Sequence, residues 1–199
     1  MIVVIDYNVG NVRSVCNAFR RIGCIAELSR DASIIRSAKG LVLPGVAAFG
    51  YAVEALGEAA GPVRDAALAG KPLLGICVGY QLLFEQSFEH GRHRGLGLVR
   101  GRVVPIPRGR TIPHMGWNQV RLAADIDILA GCRDGVHFYF AHSYYAEAAD
   151  SGAKVAFTDY GFEMPAVVQK NNIHGTQFHP EKSGPAGLAV LANFAKLCK

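Results

Sequence analysis

The residue pattern with the clearest chemical potential is Gly75-Ile76-Cys77-Val78-Gly79, which follows the apolar run Pro72-Leu73-Leu74. It predicts a strand that turns sharply into a helix, with a thiol at the apex. Glycines are needed on both sides because side chains there would clash with neighbouring backbone. The free N–H groups at the start of such a helix favour thiolate, the form that attacks carbon. The alternative is that Cys77 is a buried, inert residue. A candidate base elsewhere in the chain is needed to choose between the two interpretations.

A second pattern, His179-Pro180-Glu181, supplies a candidate base. Pro180 ends a strand and favours extended backbone at His179, so residues 179 and 181 project to the same side. A carboxylate beside an imidazole holds one tautomer and stabilises the cation that forms when the ring takes a proton. Alone, the pair is better explained as an ordinary ion pair at a strand end. Together with the cysteine pattern it favours a triad of Cys77, His179 and Glu181.

The composition predicts a compact protein with one domain that spans residues 1–199. Hydrophobic residues make up 50% of the 199 positions and charged residues 19%, which excludes long disorder. The formal net charge is +5, but no block of Lys and Arg residues of the nucleic-acid-binding type occurs. We therefore expect a mildly basic surface that faces an acidic partner, and binding to neither nucleic acid nor membrane.

The five cysteines are an odd number and include no CxxC pair, so neither a zinc site nor a dithiol motif is predicted. Free thiols fit a reducing compartment, and the chain starts without a basic leader, so a cytoplasmic location is expected. Lys71 and Glu54 interrupt the longest apolar stretches, which leaves no membrane span. No metal or other cofactor is expected.

Strands and helices alternate in the first half of the sequence, which predicts a parallel sheet with helices on both faces. The predicted strands are Ile2–Ile5, Cys24–Leu28, Gly40–Leu43 and 72–76. The predicted helices are 12–22, 50–58, 62–70 and one after Cys77 that carries Leu82, Leu83 and Phe84.

The second half is richer in strands, so hairpins or a mixed sheet are expected there. The predicted strands are 99–106, 117–122, 136–142, 155–158, 166–169 and 173–178, and a final amphipathic helix covers 184–198. The predicted fold class is α/β, with a central, mostly parallel sheet flanked by helices and a mixed or antiparallel extension in the second half.

The two catalytic patterns, read as Gly75–Gln81 and Gln177–Glu181, resemble the class I (triad) glutamine amidotransferases. Further segments resemble, within that class, the glutaminase subunits of imidazole glycerol phosphate synthase. The similarity runs from residue 2 to the C-terminal helix. The segments are Asp6-Tyr7-Asn8-Val9-Gly10-Asn11, Pro44-Gly45-Val46-Ala47-Ala48-Phe49-Gly50, Pro113-His114-Met115-Gly116-Trp117-Asn118, Phe138-Tyr139-Phe140-Ala141-His142-Ser143-Tyr144 and Lys182-Ser183.

This resemblance implies hydrolysis of glutamine to glutamate and ammonia through a thioester on Cys77, without a cofactor. The N–H of Val78 is an expected oxyanion donor, and the resemblance implies a second one from the Gly45-Val46 loop after a peptide flip. Gln81, one helical turn beyond Cys77, is expected to help place the substrate. The remaining expected substrate contacts are Gly79 at the elbow, Glu89 at the amino group, and His142, Ser143 and Tyr144 at the carboxylate.

The resemblance also implies that the ammonia passes to a (β/α)8 synthase subunit, which forms imidazole glycerol phosphate and an aminoimidazole carboxamide ribotide. The glutaminase is then nearly idle until that subunit is liganded. Asn11, Met115, Trp117 and Lys182 match positions at the subunit contact, and an aromatic residue and a methionine suit an interface core. A place in the protein core is the alternative for Trp117.

Several positions depart from the family pattern. Ala47 stands where the loop commonly has glycine, and it would be strained there if the position needs positive φ. Asn8 replaces a usual glycine but tolerates left-handed backbone. Val9, Val78 and Tyr80 are milder changes, and the last two keep their backbone roles. The alternatives left open are a cysteine hydrolase or chaperone-like protein on the same fold, an inactive scaffold, and a glutaminase that serves another synthase.

Overall fold

The computed structural model describes residues 1–199, which form three sheets and six α-helices. The strands are β1 (Ile2–Ile5), β2 (Ala26–Ser29), β3 (Gly40–Leu43), β4 (Leu73–Ile76), β5 (Phe84–Ser87), β6 (His93–Arg94), β7 (Val99–Pro105), β8 (His114–Val120), β9 (Val136–His142), β10 (Tyr144–Ala148), β11 (Lys154–Asp159), β12 (Glu163–Lys170) and β13 (Ile173–Thr176). The helices are α1 (Val12–Arg21), α2 (Ala32–Ser37), α3 (Phe49–Leu56), α4 (Ala60–Leu68), α5 (Val78–Gln81) and α6 (Gly184–Leu197).

The central sheet has seven strands in the order β11-β12-β13-β4-β3-β1-β2. The five strands from β13 to β2 are parallel, and β12 and β11 are antiparallel additions at one edge. Every residue of β1, β3, β4 and β13 is buried, because helices or further strands cover both faces of the sheet. The carboxyl ends of β3 and β4 therefore meet at one edge, where the Gly45 loop and Cys77 follow.

Local signals explain where several helices begin and end. The side chain of Asp31 accepts hydrogen bonds from the backbone N–H groups of Ser33 (2.7 Å) and Ile34 (3.1 Å), and so starts α2. Gly23, with φ +75°, lets the chain leave α1 in a left-handed conformation. The sequence analysis missed α2 because six residues are too few to show a helical period.

Two smaller sheets lie beside the central one. One has the order β10-β7-β5-β6, and the other is the antiparallel pair β8-β9, in which His114 faces His142 and Trp117 faces Tyr139. The backbone N–H of His179 donates to the carbonyl of Tyr139 (2.9 Å), so the β8-β9 pair is attached to the carboxyl edge of the central sheet. One core of 51 buried residues runs from Ile2 to Cys198.

The predicted fold class is confirmed, but one predicted element is wrong. The helix after Cys77 ends at Gln81 instead of continuing through Phe84, which begins β5. Leu82, Leu83 and Phe84 are buried, and a short, fully buried apolar run gives no period that separates a helix from a strand. The sequence analysis also missed β5, β6 and β10. None of the six helices combines the length and apolar character needed to cross a membrane.

Candidate active site

Cys77 lies at the apex of a sharp turn between β4 and α5. Its backbone has φ +54° and ψ −109°, an unusual conformation for a residue with a side chain. A Cβ on Gly75 would come within 2.5 Å of the Gly79 carbonyl oxygen, and a Cβ on Gly79 would come within 1.7 Å of the Leu43 carbonyl oxygen. Both glycines are therefore required by backbone that approaches backbone, as the sequence pattern predicted.

His179 and Glu181 lie directly after β13, the strand beside β4. The Nδ1 atom of His179 is 2.9 Å from Oε1 of Glu181, and both side chains are almost fully buried. Cys77 lies near the same ring, since both side chains border one cavity and the charge of Cys77 helps to raise the pKa of His179. Ser183 fixes this segment because its hydroxyl donates to the His179 carbonyl (2.7 Å) and accepts from the Tyr139 N–H (2.9 Å). The structure thus brings the three residues together.

The surroundings of His179 favour its charged form. Burial alone would lower its pKa, but the hydrogen bonds and negative charges of Cys77 and Glu181 outweigh burial and raise it. A buried thiol beside a protonated imidazole is the arrangement that yields a reactive thiolate. The cluster is therefore suited to nucleophilic attack on a carbonyl carbon.

The loop after β3 lies against the start of α5. The backbone N–H of Val78 donates to the carbonyl of Gly45 (3.3 Å), and the hydroxyl of the buried Tyr7 donates to the carbonyl of Pro44. Ala47 does not have positive φ, so the strain expected from its replacement of glycine is absent in this conformation. Asn8 does adopt a left-handed conformation, with φ +61°.

A cavity of about 350 Å³ opens in front of the thiol. Its walls include eleven of the residues expected to bind substrate or partner or to act in catalysis, namely Val46, Cys77, Val78, Gln81, Glu89, Met115, His142, Ser143, Tyr144, His179 and Lys182. Gly45, Gly79 and Glu181 do not border the cavity, but Gly45 and Gly79 are the chain neighbours of Val46 and Val78, and Glu181 contacts Nδ1 of His179.

Gln177 is a site residue to which the sequence analysis assigned no role. Its Nε2 atom is 4.0 Å from the sulfur of Cys77, and its Oε1 accepts from Nε2 of Gln81 (3.1 Å). Gln81 also donates to the carbonyl of Tyr144 (2.9 Å). The signal was available, because Gln177 belongs to the quoted segment before His179 and a buried glutamine requires partners.

Two of the expected substrate contacts have partners within the protein. One carboxylate oxygen of Glu89 accepts the N–H of Phe49 (2.6 Å) at the start of α3, which leaves the other oxygen for a ligand. The two ring nitrogens of His142 face the Tyr144 carbonyl (2.9 Å) and Nδ1 of His114 (2.9 Å). His142 therefore borders the cavity with both ring nitrogens engaged by the protein itself, while Ser143 and Tyr144 line the wall beside it.

Two of the expected partner contacts, Met115 and Lys182, border the cavity, and Trp117 lies two residues beyond Met115 on the same strand. Met115 and Trp117 lie on β8 and are 63% and 57% exposed, so the alternative that Trp117 is a core residue is wrong. The ammonium group of Lys182 is 5.7 Å from the centre of the Tyr139 ring. Asn11 is half-buried just before α1, in the loop that packs on Pro44.

Comparison with known proteins agrees with this geometry. The family Glutamine amidotransferase class-I matches residues 3–198. The fold alone is shared with a solved structure titled as that of a glutamine amidotransferase (TM-score 0.78, 20% identity, 100% and 99% of the two chains covered). PurLQS from Thermotoga maritima is similar to a comparable extent (TM-score 0.74, 21% identity, 100% and 98% covered). The chain belongs to the class I glutamine amidotransferase family.

Within that family, full-length relatives carry a more specific name. A protein of Methanothermobacter thermautotrophicus that is 50% identical over 100% of both chains is the imidazole glycerol phosphate synthase subunit HisH. A protein of Caldanaerobacter subterraneus subsp. tengcongensis has the same name and is 45% identical, covering 100% of this chain and 99% of its own. The family resemblance stated from the sequence is thereby confirmed.

Proposed function

We propose that this chain is the glutaminase subunit of an imidazole glycerol phosphate synthase and that it hydrolyses glutamine to glutamate and ammonia. The observation that carries the proposal is that Cys77 and His179 border one cavity while Glu181 lies 2.9 Å from Nδ1 of His179. The names of the full-length relatives support the particular synthase. One core that extends from Ile2 to Cys198 supports a single domain over residues 1–199.

The reaction begins with attack of the Cys77 thiolate on the side-chain amide carbon of glutamine. A C–S bond forms, and the electron pair of the C=O bond moves to oxygen. His179 then gives its proton to the amide nitrogen, the C–N bond breaks, and ammonia leaves a thioester behind. His179 next takes a proton from water, which attacks the thioester. When the C–S bond breaks, glutamate leaves and the thiolate–imidazolium pair is restored.

The oxyanion of both tetrahedral intermediates needs two donors, and the Gly45 carbonyl presently accepts the Val78 N–H. Rotation of the Gly45-Val46 peptide would release the Val78 N–H and turn the Val46 N–H toward the cavity. Each such donor stabilises the transition state by about 3 kcal/mol. The chain is therefore expected to hydrolyse glutamine slowly until this peptide turns.

The cavity walls suit the two ends of glutamine. The free carboxylate oxygen of Glu89 is the proposed partner of the substrate ammonium group. Ser143 and Tyr144 border the opposite wall and are proposed to hold the substrate carboxylate. Gln81 donates both of its amide hydrogens within the protein, so its carbonyl oxygen is the group that remains for substrate.

The exposed residues around the cavity mouth are the proposed contact with a (β/α)8 synthase subunit, which would receive the ammonia and form imidazole glycerol phosphate and an aminoimidazole carboxamide ribotide. Met115 and Trp117 supply an apolar centre, with Asn11 and Lys182 beside it. The five cysteines are free, which fits a reducing compartment and the proposed cytoplasmic location.

The decisive experiment mixes this chain with the barrel synthase and its phosphorylated ribulosyl ligand and measures glutamate release. We expect strong stimulation over the chain alone and no activity in Cys77→Ala. A lack of stimulation by this synthase, with stimulation by another, would instead show a glutaminase that serves a different synthase. Selective alkylation of Cys77 by a glutamine analogue separates an active glutaminase from an inactive scaffold, and a peptide substrate tests for a cysteine hydrolase.

A further inference from the structure

A chain of hydrogen bonds runs from Asn118, a half-buried residue of β8, to the wall of the substrate cavity. It consists of Asn118, His114, His142 and the Tyr144 carbonyl, which we call the β8 network. The N···N distances are 3.1 Å from Asn118 Nδ2 to His114 Nε2 and 2.9 Å from His114 Nδ1 to His142 Nε2. The last link, from His142 Nδ1 to the Tyr144 oxygen, is also 2.9 Å.

The direction of every bond in the β8 network follows from its two ends. At one end a carbonyl only accepts, so His142 carries its hydrogen on Nδ1 and offers a lone pair on Nε2. At the other end the Asn118 oxygen accepts the N–H of Gln119 (2.8 Å), and its nitrogen donates to the carbonyl of Asp159 (2.8 Å). Asn118 therefore donates to His114 Nε2, and His114 must carry its hydrogen on Nδ1. Both ends require the same tautomer of His114.

The packing around His114 holds this arrangement in place. The ring is stacked between those of Phe140 and Tyr160, with centroid distances of 4.7 Å and 4.1 Å, and is 3% exposed. Burial lowers the pKa of His114 to about 4 and, together with the charge of its neighbour, that of His142 to about 3. Both rings are thus neutral at physiological pH, as the β8 network requires.

Beyond Tyr144 the contacts continue toward the nucleophile. The same Tyr144 carbonyl accepts from Gln81, and Gln81 donates to Gln177, whose amide nitrogen lies 4.0 Å from the Cys77 sulfur. A shift of the His142 ring would therefore move the carbonyl that sets the orientation of Gln81. At the other end of the network, Asn118 follows Trp117, whose side chain is exposed.

We propose that His114 is a positioning residue for glutamine hydrolysis, which holds His142, the Tyr144 carbonyl and hence Gln81 in the geometry that binds glutamine. The inference rests on the proposed function. His114, the first residue of β8, would then contribute to substrate binding without touching the substrate. It also gives a structural route by which a partner that contacts β8 alters the affinity of the cavity for glutamine.

Two isosteric variants test the proposal. In His114→Asn the amide nitrogen replaces Nδ1 and keeps the donor to His142, whereas in His114→Gln the amide group replaces Nε2 and that donor is lost. In the synthase complex we expect His114→Gln to raise KM for glutamine at least five-fold with kcat within two-fold of wild type. His114→Asn should stay within two-fold of wild type in both constants. Equal KM values for the three proteins, or equal losses in both variants, would overturn the proposal.

A spectroscopic measurement on the wild-type chain is independent of activity and of variant folding. Two-bond ¹H–¹⁵N spectra should show His114 and His142 as neutral Nδ1–H tautomers at pH 7. A proton on Nε2 of either ring would refute the β8 network. Because this readout needs no glutaminase activity, an inactive complex with the expected tautomers would refute the proposed function and leave the network standing.

Discussion

The carbonyl oxygen of Gly45 accepts the backbone N–H of Val78 at 3.3 Å, so the donor nearest the nucleophile is occupied by the protein's own backbone. The thiol and its base already lie together at one cavity, whereas the oxyanion donors are not in place. The resting chain therefore meets one requirement of the reaction, a nucleophile beside a base, before it meets the second, a site that stabilises the intermediate.

Tyr7 is expected to limit how the Gly45 loop moves, because its hydroxyl holds the preceding carbonyl, that of Pro44. Tyr7→Phe should lower the free energy of unfolding by about 1 kcal/mol, since a buried acceptor loses its partner. It should also lower kcat several-fold in the synthase complex, because the hinge of the peptide rotation is loosened. Denaturant titration and steady-state kinetics measure these effects. The exposed Tyr51→Phe is the matched control, and equal behaviour of the two variants would contradict the expectation.

Loss of charge at Glu181 should disable catalysis without unfolding the chain. Glu181→Gln keeps a hydrogen-bond acceptor for His179 but removes the negative charge that helps raise its pKa. We expect kcat to fall ~100-fold or more, since a triad depends on that charge to orient and stabilise the imidazolium. The rate of Cys77 alkylation should fall as well. Glu163→Gln, which removes an exposed ion pair with Arg121, serves as the control and should change neither rate.

The crowding at the nucleophile turn predicts a large stability effect from one methyl group. Gly79→Ala places a Cβ 1.7 Å from the Leu43 carbonyl oxygen, so β3 and α5 must separate. We expect a loss of more than about 3 kcal/mol in the free energy of unfolding, or failure to fold. Gly61→Ala in α4 meets nothing within 4 Å and should stabilise the chain by up to about 1 kcal/mol. A thermal unfolding scan of both proteins checks the contrast.

Stability should fall in mild acid. Burial lowers the pKa of His174 to about 4, below the 6.5 of an exposed histidine, so the unfolded chain binds the proton more readily. The contribution of His174 is fully present above about pH 6.5 and is lost as the pH falls toward 4. At pH 5 the loss is about 2 kcal/mol.

The lowered pKa values of His114 and His142 also make the folded chain less stable as the pH falls. The raised pKa of His179 has the opposite effect and makes the folded chain more stable as the pH falls. Urea titrations of wild type and His174→Gln at pH 7 and pH 5 measure how much His174 contributes to the pH dependence of the free energy of unfolding. The variant should lose less stability between the two pH values than wild type. The exposed His137→Gln should behave as wild type, and an unchanged pH response in His174→Gln would contradict the assignment.

Trp117 should contribute to association and little to folding. Its side chain is 57% exposed, so Trp117→Ala should change the free energy of unfolding by less than about 0.5 kcal/mol. At the centre of the proposed interface the same change should weaken binding of the barrel synthase ~30-fold or more. Ile25→Ala is the control, because Ile25 is 85% exposed and precedes β2 at the opposite edge of the central sheet. If the two variants bound the barrel synthase with equal affinity, Trp117 would not lie in the interface.

The fold class and the alignment of the triad were accessible from sequence because local backbone rules determine them. Gly75 and Gly79 mark a turn that only glycine tolerates, and His179 follows β13, the neighbour of the strand β4 that leads to Cys77. Parallel neighbours have their carboxyl ends at one edge, which is sufficient to bring the two motifs together.

The remaining features depend on register and orientation, which the sequence pattern does not encode. The pairing of His114 with His142 follows from the β8-β9 register, and the direction of the Gly45 carbonyl follows from one peptide rotation. Leu82, Leu83 and Phe84, which lead into β5, are all buried and apolar, so they show no alternation that would mark the start of a strand. Ala47 illustrates the same limit, since its strain depends on a φ value that the sequence does not give.

The crowded junction of β3, β4 and α5 has a consequence for substrate choice. Cys77 and Val78 border the cavity and are held by Gly79, whose backbone packs directly on that of Leu43 and Gly45, and this main chain cannot be exchanged for another chemistry without breaking the fold. Discrimination between glutamine and its shorter homologue asparagine must therefore reside in the side walls, in the distance from the sulfur to Glu89 and Ser143. Engineering of this protein for a different amide should therefore begin at the side walls and leave the backbone of the nucleophile turn unchanged.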